Sequence, residues 1–495
     1  MTFEIVFVLL SLLGMVAALI ADKMRPGMIL FSVVVLFLCA GILTPKEMLE
    51  GFSNKGMITV ALLFLVSEGI RQSGTLGQVI KKLLPQGKTT VFKAQLRILP
   101  SVAFISAFLN NTPVVVIFAP IIKHWAKSVN LPATKFLIPL SYVTILGGIC
   151  TLIGTSTNLV VHGMILEAGF EGFSMFELGK VGIFIAIAGI IYIFLFSKRL
   201  LPDARPDTAV PDEEVEEGEK LHRVEAVLGA RFPGINKKLK DFNFQRHYGA
   251  EVKEIKTRNG QRFVTNLDDV VLHEGDTLVV MADDTFIPTW GESSVFVLLT
   301  NGNEPDTTGK KKRWFALLLL VLMIVGATVG ELPVTKEMFP DIKLDMFFFV
   351  SITTIIMAWT NLFPARKYTK YISWDILITI ACAFAISKAM VNSGVADSVA
   401  KFIIGLSDDY GPHVLLAMLF IITNLFTELI TNNAAAALAF PLALSIASQL
   451  GVSPTPFFVV ICMAASASFS TPIGYQTNLI VQGIGNYKFT DFVRI

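Results

Sequence analysis

A chain of 495 residues that is 53% hydrophobic and only 16% charged cannot bury its apolar surface in one soluble core, which indicates a polytopic membrane protein. The formal net charge of +2 and the lack of a basic stripe exclude a nucleic-acid partner. The four cysteines lie singly in apolar runs without ligand spacing, so the sequence predicts neither a disulfide framework nor a cysteine metal site.

Runs of about 18 or more apolar residues predict the transmembrane spans. They lie near residues 3–21, 27–43, 56–72, 136–168, 179–198, 314–331, 345–363, 374–391 and 455–485. Two further apolar stretches, 94–124 and 412–448, are interrupted by FLNNTPVVV from Phe108 and ELITNNAAAA from Glu428. An unsatisfied amide in hydrocarbon costs on the order of several kcal/mol, so we predict two re-entrant hairpins whose tips line a protein cavity.

A change of composition separates two membrane halves, 1–201 and 313–495. Residues 202–219 are rich in Pro, Asp and Glu, which predicts an acidic linker. Residues 220–290 alternate short apolar runs with Gly and Asn turns, which predicts a small α/β domain. A second linker is predicted at 291–312.

This insert resembles the TrkA C-terminal domain, also called RCK-C. The resemblance rests on PGINKKLKDFNFQRHYGAEVKEI from Pro233 and VLHEGDTLVVMA from Val271. It implies a domain that senses a cytosolic ligand, for which the nucleotide cyclic di-AMP is a candidate, and that is not itself catalytic.

Lysine and arginine are concentrated in the loops on one side of the predicted spans. These loops contain residues 23–25, 71–97, 123–135, 198–313, 366–370 and 488–494. By the positive-inside rule this side is cytoplasmic. We therefore predict a multi-pass protein of the cell membrane, inner or plasma, with its N-terminus outside and the insert in the cytoplasm. The first hairpin would enter from the cytoplasm and the second from outside.

A ten-residue segment occurs twice, as GTSTNLVVHG from Gly154 and as GYQTNLIVQG from Gly474, with six identical positions. At about the same offset, NNTPVVVIFAP from Asn110 corresponds to TNNAAAALAFP from Thr431. An odd number of predicted crossings separates the copies, so they would be inverted in the membrane. Helix packing through small residues explains the glycines but not hairpin tips that repeat in register. Inverted repeats with broken helices are typical of secondary transporters.

The tips and breaks resemble the divalent-anion/sodium symporter (DASS) family of the ion transporter superfamily over both membrane halves. That family usually has Ser-Asn-Thr tips and Thr-Pro-Pro-Asn breaks. The corresponding residues here are the tips Asn110-Asn111-Thr112 and Thr431-Asn432-Asn433, and the breaks Thr155-Ser156-Thr157-Asn158 and Tyr475-Gln476-Thr477-Asn478. The resemblance implies a homodimer that moves a substrate domain against a fixed scaffold. The family usually has one more span after the second break, so either this sequence, which stops at Ile495, is incomplete or that helix is dispensable.

Sodium is a hard cation that prefers oxygen ligands, and an unwound helix exposes carbonyl oxygens. We predict two symmetric sodium sites, with sodium as the coupling ion and no other cofactor. Their predicted ligands are Asn111, Gly148 and Asn158 in the first half, and Asn432, Ser468 and Asn478 in the second. The anion would lie between them, at half-helix N-termini that favour negative charge. Its predicted contacts are Asn110, Thr112, Thr155, Ser156, Thr157, Thr431, Asn433, Gln476 and Thr477.

Several ionisable residues also lie in the predicted spans. Glu68 and Lys388 occupy corresponding positions and are either functional or snorkel near span ends. Glu428 precedes the second tip and either stabilises it or adds a cation ligand. His162 corresponds to Gln482 in the other copy, so a hydrogen-bonded core residue is expected rather than a proton relay.

The sequence therefore predicts a sodium-coupled symporter of a small divalent anion that works by an elevator mechanism. Hydroxyl and amide groups suit a compact tetrahedral oxyanion, which favours sulfate over a C4-dicarboxylate. A sodium/proton or arsenite-type exchanger of the same layout is an alternative. A ligand-gated channel would need a repeated filter-like loop, and the sequence contains no such run. An enzyme is not expected, because no nucleophile and base are arranged together.

Overall fold

The computed structural model describes residues 3–21, 24–203, 222–229, 231–257, 261–283, 286, 290, 295–300, 309–405, 411–472 and 474–495. Apart from residues 202 and 203, the predicted linker at 202–219 lies outside the described residues, as do residues 291–294 and 301–308 of the second predicted linker.

The described residues before the insert form ten α-helices. They are α1 (Phe3–Ala21), α2 (Pro26–Cys39), α3 (Pro45–Glu50), α4 (Lys55–Gln72), α5 (Thr75–Leu83), α6 (Val91–Ser106), α7 (Asn111–Ser128), α8 (Thr134–Gly148), α9 (Ser156–Glu167) and α10 (Gly179–Leu200).

The insert is built on an antiparallel sheet with its own hydrophobic core. Its strands are β1 (His222–Leu228), β2 (Glu251–Lys256), β3 (Arg262–Phe263), β4 (Thr277–Ala282) and β5 (Phe296–Thr300), in the order β3-β2-β4-β1-β5, and a short helix α11 (Phe244–Tyr248) follows β1. Strand β5 lies in the segment predicted as the 291–312 linker, because it pairs with β1 and so extends the sheet beyond residue 290.

The described residues after the insert form ten more α-helices. They are α12 (Lys310–Gly330), α13 (Pro333–Met338), α14 (Met346–Trp359), α15 (Trp374–Asn392), α16 (Val395–Gly405), α17 (Pro412–Leu429), α18 (Asn432–Leu450), α19 (Thr455–Ser466), α20 (Gln476–Gly485) and α21 (Phe489–Arg494).

Short polar side chains fix where several helices begin. The Asn54 side chain accepts a hydrogen bond from the Gly56 amide at 2.7 Å at the start of α4. Asp345 accepts from the Phe348 amide at 3.2 Å at the start of α14. Such caps satisfy amide groups that the first helical turn leaves without an intrahelical partner.

Seven helical segments in the described part of the chain are long and apolar enough to cross a membrane. They are Phe3–Ala21, Pro45–Gln72, Gly179–Leu200, Lys310–Gly330, Trp374–Asn392, Pro412–Leu429 and Asn432–Leu450. Large apolar side chains such as Phe184 on α10 and Leu318 on α12 are exposed, as suits contact with lipid. Helices α8 and α18 are mostly buried. The chain therefore has the character of a multi-pass membrane protein with an inner group of helices.

Helices end at each place where the sequence puts polar residues into an apolar run. The predicted span 136–168 consists of α8 and α9, with non-helical backbone between them, and 455–485 consists of α19 and α20. The stretches 94–124 and 412–448 are interrupted after Ser106 and after Leu429. Helices α9 and α20 begin at corresponding residues of the doubled segment.

Helices of the two halves pack against each other near these interruptions. Helix α7 of the first half packs on α20 of the second, and α18 of the second packs on α9 of the first. Within each half, α6 packs closely on α8 and α17 on α19. A Cβ atom on Gly147 would lie 2.1 Å from the Ala103 carbonyl oxygen, so α6 and α8 can approach this closely only because Gly147 has no side chain.

Candidate ion and substrate site

The candidate site lies where the N-terminal residues of α7, α9, α18 and α20 meet. Thr112 Oγ1 donates to Gln476 Oε1 at 3.2 Å, which joins the first tip to the second break. The Ser156 hydroxyl donates to Asn433 Oδ1 at 3.4 Å, which joins the first break to the second tip. Predicted anion-binding residues from both halves therefore contact one another.

Asn111 is the centre of a buried hydrogen-bond cluster in the first half. Its amide nitrogen donates to the carbonyl oxygens of Thr144 at 3.1 Å and Gly154 at 3.2 Å, and lies 2.8 Å from the Ser106 hydroxyl. Ser106 in turn donates to the Thr144 carbonyl oxygen at 2.8 Å. A Cβ atom on Gly148 would lie 2.6 Å from the Asn111 amide, so the absence of a side chain there makes room for Asn111.

Asn158 completes this cluster from the break of the first half. Its amide nitrogen donates to the carbonyl oxygens of Gly148 at 3.3 Å and Thr151 at 2.8 Å. Its carbonyl oxygen is buried and has no hydrogen-bond partner among the described residues. A buried acceptor without a partner carries a desolvation cost of about 1–3 kcal/mol, which a bound cation would offset.

The second half contains the same arrangement. The Thr427 hydroxyl lies 2.8 Å from Asn432 Oδ1 and 2.6 Å from the Ala465 carbonyl oxygen. The Asn478 amide nitrogen donates to the carbonyl oxygens of Ser468 at 2.9 Å and Thr471 at 3.1 Å. Each of these contacts has its counterpart in the first half at nearly the same offset in the chain.

Three hydroxyl residues of these clusters were missed by sequence reasoning. Ser106 and Thr427 each precede a tip asparagine by five residues, and this shared spacing is a signal that could have found them. Ser141 donates to Thr477 Oγ1 at 2.8 Å and to Asn478 Oδ1 at 2.7 Å from the other half. No signal in the sequence indicates this last contact, because Cys462 occupies the position corresponding to Ser141.

The structure separates the predicted anion contacts into two groups. Thr112, Ser156, Thr157, Asn433 and Gln476 contact one another across the two halves. By contrast, the Thr431 hydroxyl accepts from the Ala434 amide and caps its own helix, and Thr477 is buried against Ser141.

The other two predicted anion contacts lie beside these groups. The Thr155 hydroxyl lies 3.2 Å from the Tyr475 hydroxyl. Asn110 lines a cleft together with Ser67 and Ser156, between the first tip, α4 and α12.

Glu68 and Glu428, two ionisable residues of the spans, have structural partners. Glu68 forms an ion pair with Arg71 at 2.6 Å, one helical turn away. One Glu428 oxygen accepts from the Ser470 amide at 3.0 Å, so Glu428 holds the backbone of the second break. His162 packs against Gly172, but its buried Nδ1 atom has no hydrogen-bond partner among the described residues, so the hydrogen bond expected of this residue is not seen there. No group of three or more His, Cys, Asp or Glu side chains that could hold a metal ion occurs among the described residues.

The insert contacts the helices that carry the site. Glu225 of β1 pairs with Lys123 of α7 at 3.2 Å. Burial by itself raises the pKa of Glu225, but the ammonium groups of Lys123 and Lys256 lower it to about 2. A Cβ atom on Gly483 of α20 would lie 2.4 Å from Thr277 Oγ1 of β4. The insert also reaches the segment before α15, where Arg231 donates to the Ile372 carbonyl oxygen at 3.3 Å.

Comparison with known proteins establishes the class of the chain. A model of the family described as citrate transporter matches residues 16–451 and 342–494. This chain belongs to the citrate transporter family. Membership confirms the predicted class, a transporter rather than an enzyme.

Several known proteins are similar in sequence to this chain. An uncharacterized transporter of Synechocystis sp. is 30% identical over 94% of this chain and 89% of its own length. A Chlamydomonas reinhardtii protein named "Probable sodium/sulfate cotransporter 3" is 23% identical over 96% of this chain and 84% of its own. "Sodium/sulfate cotransporter 2" of the same organism is 31% identical over 55% of this chain and 30% of its own.

Proposed function

We propose that this protein is a sodium-coupled symporter of a small divalent anion, with sulfate as its preferred substrate. One observation carries the proposal: two matching clusters of buried asparagine, hydroxyl and carbonyl groups flank a set of uncharged polar side chains at four helix N-termini. The names of the two Chlamydomonas relatives support sodium and sulfate.

The chemistry of the two clusters suits sodium. Both consist of neutral oxygen donors, and the unpaired carbonyl oxygen of Asn158 is free to coordinate a cation. We assign Asn111, Gly148 and Asn158 to one sodium site and Asn432, Ser468 and Asn478 to the other. Ser106 and Thr427 join them as hydroxyl donors.

The groups between the clusters suit an oxyanion. Helix N-termini carry partial positive charge and free amide groups, so they bind anions without a basic side chain. Thr112 and Gln476 add hydroxyl and amide donors within hydrogen-bond distance of each other, and Ser156 adds a hydroxyl beside Asn433. A compact tetrahedral anion such as sulfate can contact several of these donors at once.

Alternating access would follow from the repeat. In this proposal the two halves are inverted in the membrane, the two interrupted stretches are re-entrant hairpins, and the tips and breaks move as one body in an elevator mechanism. The protein would be a homodimer in the cell membrane, with its N-terminus outside and the insert in the cytoplasm. The crossed packing of α7 on α20 and of α18 on α9 supports a single moving body.

The insert would regulate this movement. It contacts α7 and α20, which carry site residues, and also the segment before α15. A ligand that changes the insert would therefore bias the position of the moving body. By its resemblance to the TrkA C-terminal domain we assign it a cytosolic nucleotide, with cyclic di-AMP as the first to test by direct binding.

Uptake into proteoliposomes tests the transport function. Radiolabelled sulfate, succinate and citrate are each offered with an inward sodium gradient, with equal sodium on both sides, and with a proton gradient alone. We expect sulfate to accumulate above its external concentration only with the sodium gradient, and excess unlabelled sulfate should compete. Accumulation driven by protons alone, or with equal sodium on both sides, would reject sodium symport.

Citrate is the second candidate substrate, because the family that matches the chain is described as citrate transporter. Competition decides between the two anions. If unlabelled citrate displaces labelled sulfate at lower concentration than unlabelled sulfate does, the preferred substrate is citrate.

A further inference from the structure

Tyr475 connects parts of the site that the predicted sodium ligands leave apart. It is the last residue before α20, and it is only 8% exposed. Its hydroxyl donates to Asn111 Oδ1 at 2.5 Å and lies 3.2 Å from the Thr155 hydroxyl, and its carbonyl oxygen accepts from the Asn478 backbone amide at 3.0 Å. One residue of the second half thus joins the first tip asparagine to Asn478 of the second cluster.

This contact breaks the correspondence between the two halves. Thr155 occupies the position in the first break that Tyr475 occupies in the second, and the two side chains touch each other. A threonine side chain is too short to reach across as the tyrosine does. Tyr475 therefore links the two clusters by a contact that, like that of Ser141 with Asn478, has no counterpart in the other half.

We infer that Tyr475 is a positioning residue that couples the two candidate sodium sites. Its hydroxyl fixes the amide orientation of Asn111, and its backbone carbonyl oxygen is bonded to Asn478 of the second candidate site. A sodium ion that orders Asn111 therefore also orders Asn478 through Tyr475, which makes binding at the two sites cooperative. Coupling of this kind acts equally in both directions. The inference rests on the proposed function, because it requires that both clusters bind sodium.

Substitution of Tyr475→Phe tests this role, because it removes the hydroxyl and keeps the ring. We expect the sodium concentration for half-maximal sulfate uptake to rise roughly 2- to 12-fold, the range for the loss of one hydrogen bond. The Hill coefficient for sodium should fall toward about 1, because the sites no longer assist each other. Maximal uptake at saturating sodium should stay close to that of the parent protein.

Tyr487→Phe is the matched control. Tyr487 is also a buried tyrosine, and its hydroxyl bonds to the backbone of Thr134 and Ile138, away from both tips. This variant should leave the sodium dependence unchanged. Equal shifts in Tyr475→Phe and Tyr487→Phe would mean a general loss of packing and would overturn the inference.

Thr155→Val keeps the test decisive if Tyr475→Phe does not fold, and a double variant adds a further test if it does. Thr155→Val removes the hydroxyl that meets Tyr475 and should shift the sodium dependence in the same direction by less. In an Asn111→Ala background, removal of the Tyr475 hydroxyl should have no further effect on sodium dependence. Full additivity of those two changes would contradict a role that acts through Asn111.

The outcomes separate this inference from the proposed function. Sulfate uptake by the parent protein that does not depend on sodium would reject both. The coupling role alone would be rejected by a different result. In that case uptake by the parent depends on sodium, but Tyr475→Phe and Thr155→Val leave the Hill coefficient and the half-saturating sodium concentration unchanged.

Discussion

Asn111 and Asn432 lie in different halves of the chain, yet each has a hydroxyl side chain five residues before it and 2.8 Å from its amide. In both cases the hydroxyl also contacts a backbone carbonyl oxygen 38 residues further along the chain. Two unrelated segments would not arrive at the same set of contacts. The two asparagines therefore occupy equivalent positions in the two hydrogen-bond clusters.

Replacement of either asparagine should remove a ligand from one sodium site and leave the ligands of the other site in place. We expect Asn111→Ala and Asn432→Ala each to raise the sodium concentration for half-maximal uptake. Loss of one buried polar ligand costs about 1–3 kcal/mol, which is roughly a 5-fold to 150-fold weakening. Anion affinity should fall as well, because sodium and anion binding are linked. Sulfate uptake measured over a sodium titration gives both quantities.

Asn392→Ala is the control for these variants. Asn392 lies at the end of α15, where its amide donates to the Ile42 carbonyl oxygen and to Glu47, away from both tips. Its replacement should leave sodium dependence unchanged. If the tip variants lose uptake while sodium dependence and sodium-linked anion binding stay as in the parent, the asparagines are packing or substrate groups instead.

Asn158 and Asn478 should follow the same pattern, each together with the tip of its own cluster. In the first half, Asn158→Ala and Asn111→Ala remove ligands from one site, so their effects on sodium affinity should not add. Asn158→Ala combined with Asn432→Ala should come closer to additivity, because the ligands belong to different sites. A double-mutant cycle for each pair, based on the sodium concentration for half-maximal uptake, measures the additivity. The opposite pattern of additivity would mean that the ligands are assigned to the wrong sites.

Much of the framework could be predicted from the sequence, because polar residues inside apolar runs force the helices to end. The interruptions before Asn111 and Asn432, and the starts of α9 and α20, lie at such residues. Ser106 was not predicted, since a single serine in an apolar helix has many uses that sequence alone does not separate. Tyr475 was not predicted because its contact with Asn111 joins residues 364 positions apart, which no local pattern records.

The insert shows a second limit of the sequence. Strand β5 lies within the linker predicted at 291–312. Its residues, Phe296–Thr300, are mostly apolar, a composition that favours a strand. They pair with β1, about 70 residues earlier in the chain, and no local pattern records such long-range pairing.

The close packing at Gly154 should not tolerate a side chain. A Cβ atom there would lie 2.4 Å from the Gly148 carbonyl oxygen, and this backbone atom cannot move without disturbing the first cluster. We expect Gly154→Ala to destabilise the protein by roughly 1–3 kcal/mol and to lower sodium affinity. Gly14→Ala is the control, because no atom lies within 4 Å of the added Cβ in α1. Thermal unfolding in detergent, with and without sodium, measures both effects, and equal stability of the two variants would contradict the expectation.

The insert should be dispensable for transport itself. Deletion of residues 203–308, with a flexible linker joining the ends, should spare basal uptake and remove regulation, because the predicted ligands all lie outside that segment. The single change Glu225→Gln should loosen the insert by removing its ion pair with Lys123. Limited proteolysis measures the loosening, and Asp269→Asn, at an ion pair on the exposed side of the insert, is the control. Complete loss of uptake by a folded, membrane-inserted deletion would contradict the proposal.

The docking of the insert should also depend on pH in a defined direction. Against the effect of burial, Lys123 of α7 and Lys256 of the insert lower the pKa of Glu225 from 4.5 to about 2, and the part of this shift due to Lys123 stabilises the docked state above about pH 4.5. This contribution should be lost as the pH falls from 4.5 toward 2. Proteolysis with an acid-active protease should show faster cleavage of the insert over this range, and Glu225→Gln should remove the pH dependence that this carboxylate contributes.

Two sodium ions would neutralise one divalent anion, so transport through the two clusters alone should be electroneutral. Sulfate uptake should then not change when potassium and valinomycin set the membrane potential of the proteoliposomes. One uncompensated charge would gain about 2.3 kcal/mol per 100 mV, or roughly a 50-fold change in the accumulation ratio, which this measurement detects easily. Parallel counting of labelled sodium and labelled sulfate should give about two ions per anion if each cluster holds one. A transport current together with a higher ratio would reveal a third sodium ion, held by residues outside the repeated asparagine clusters.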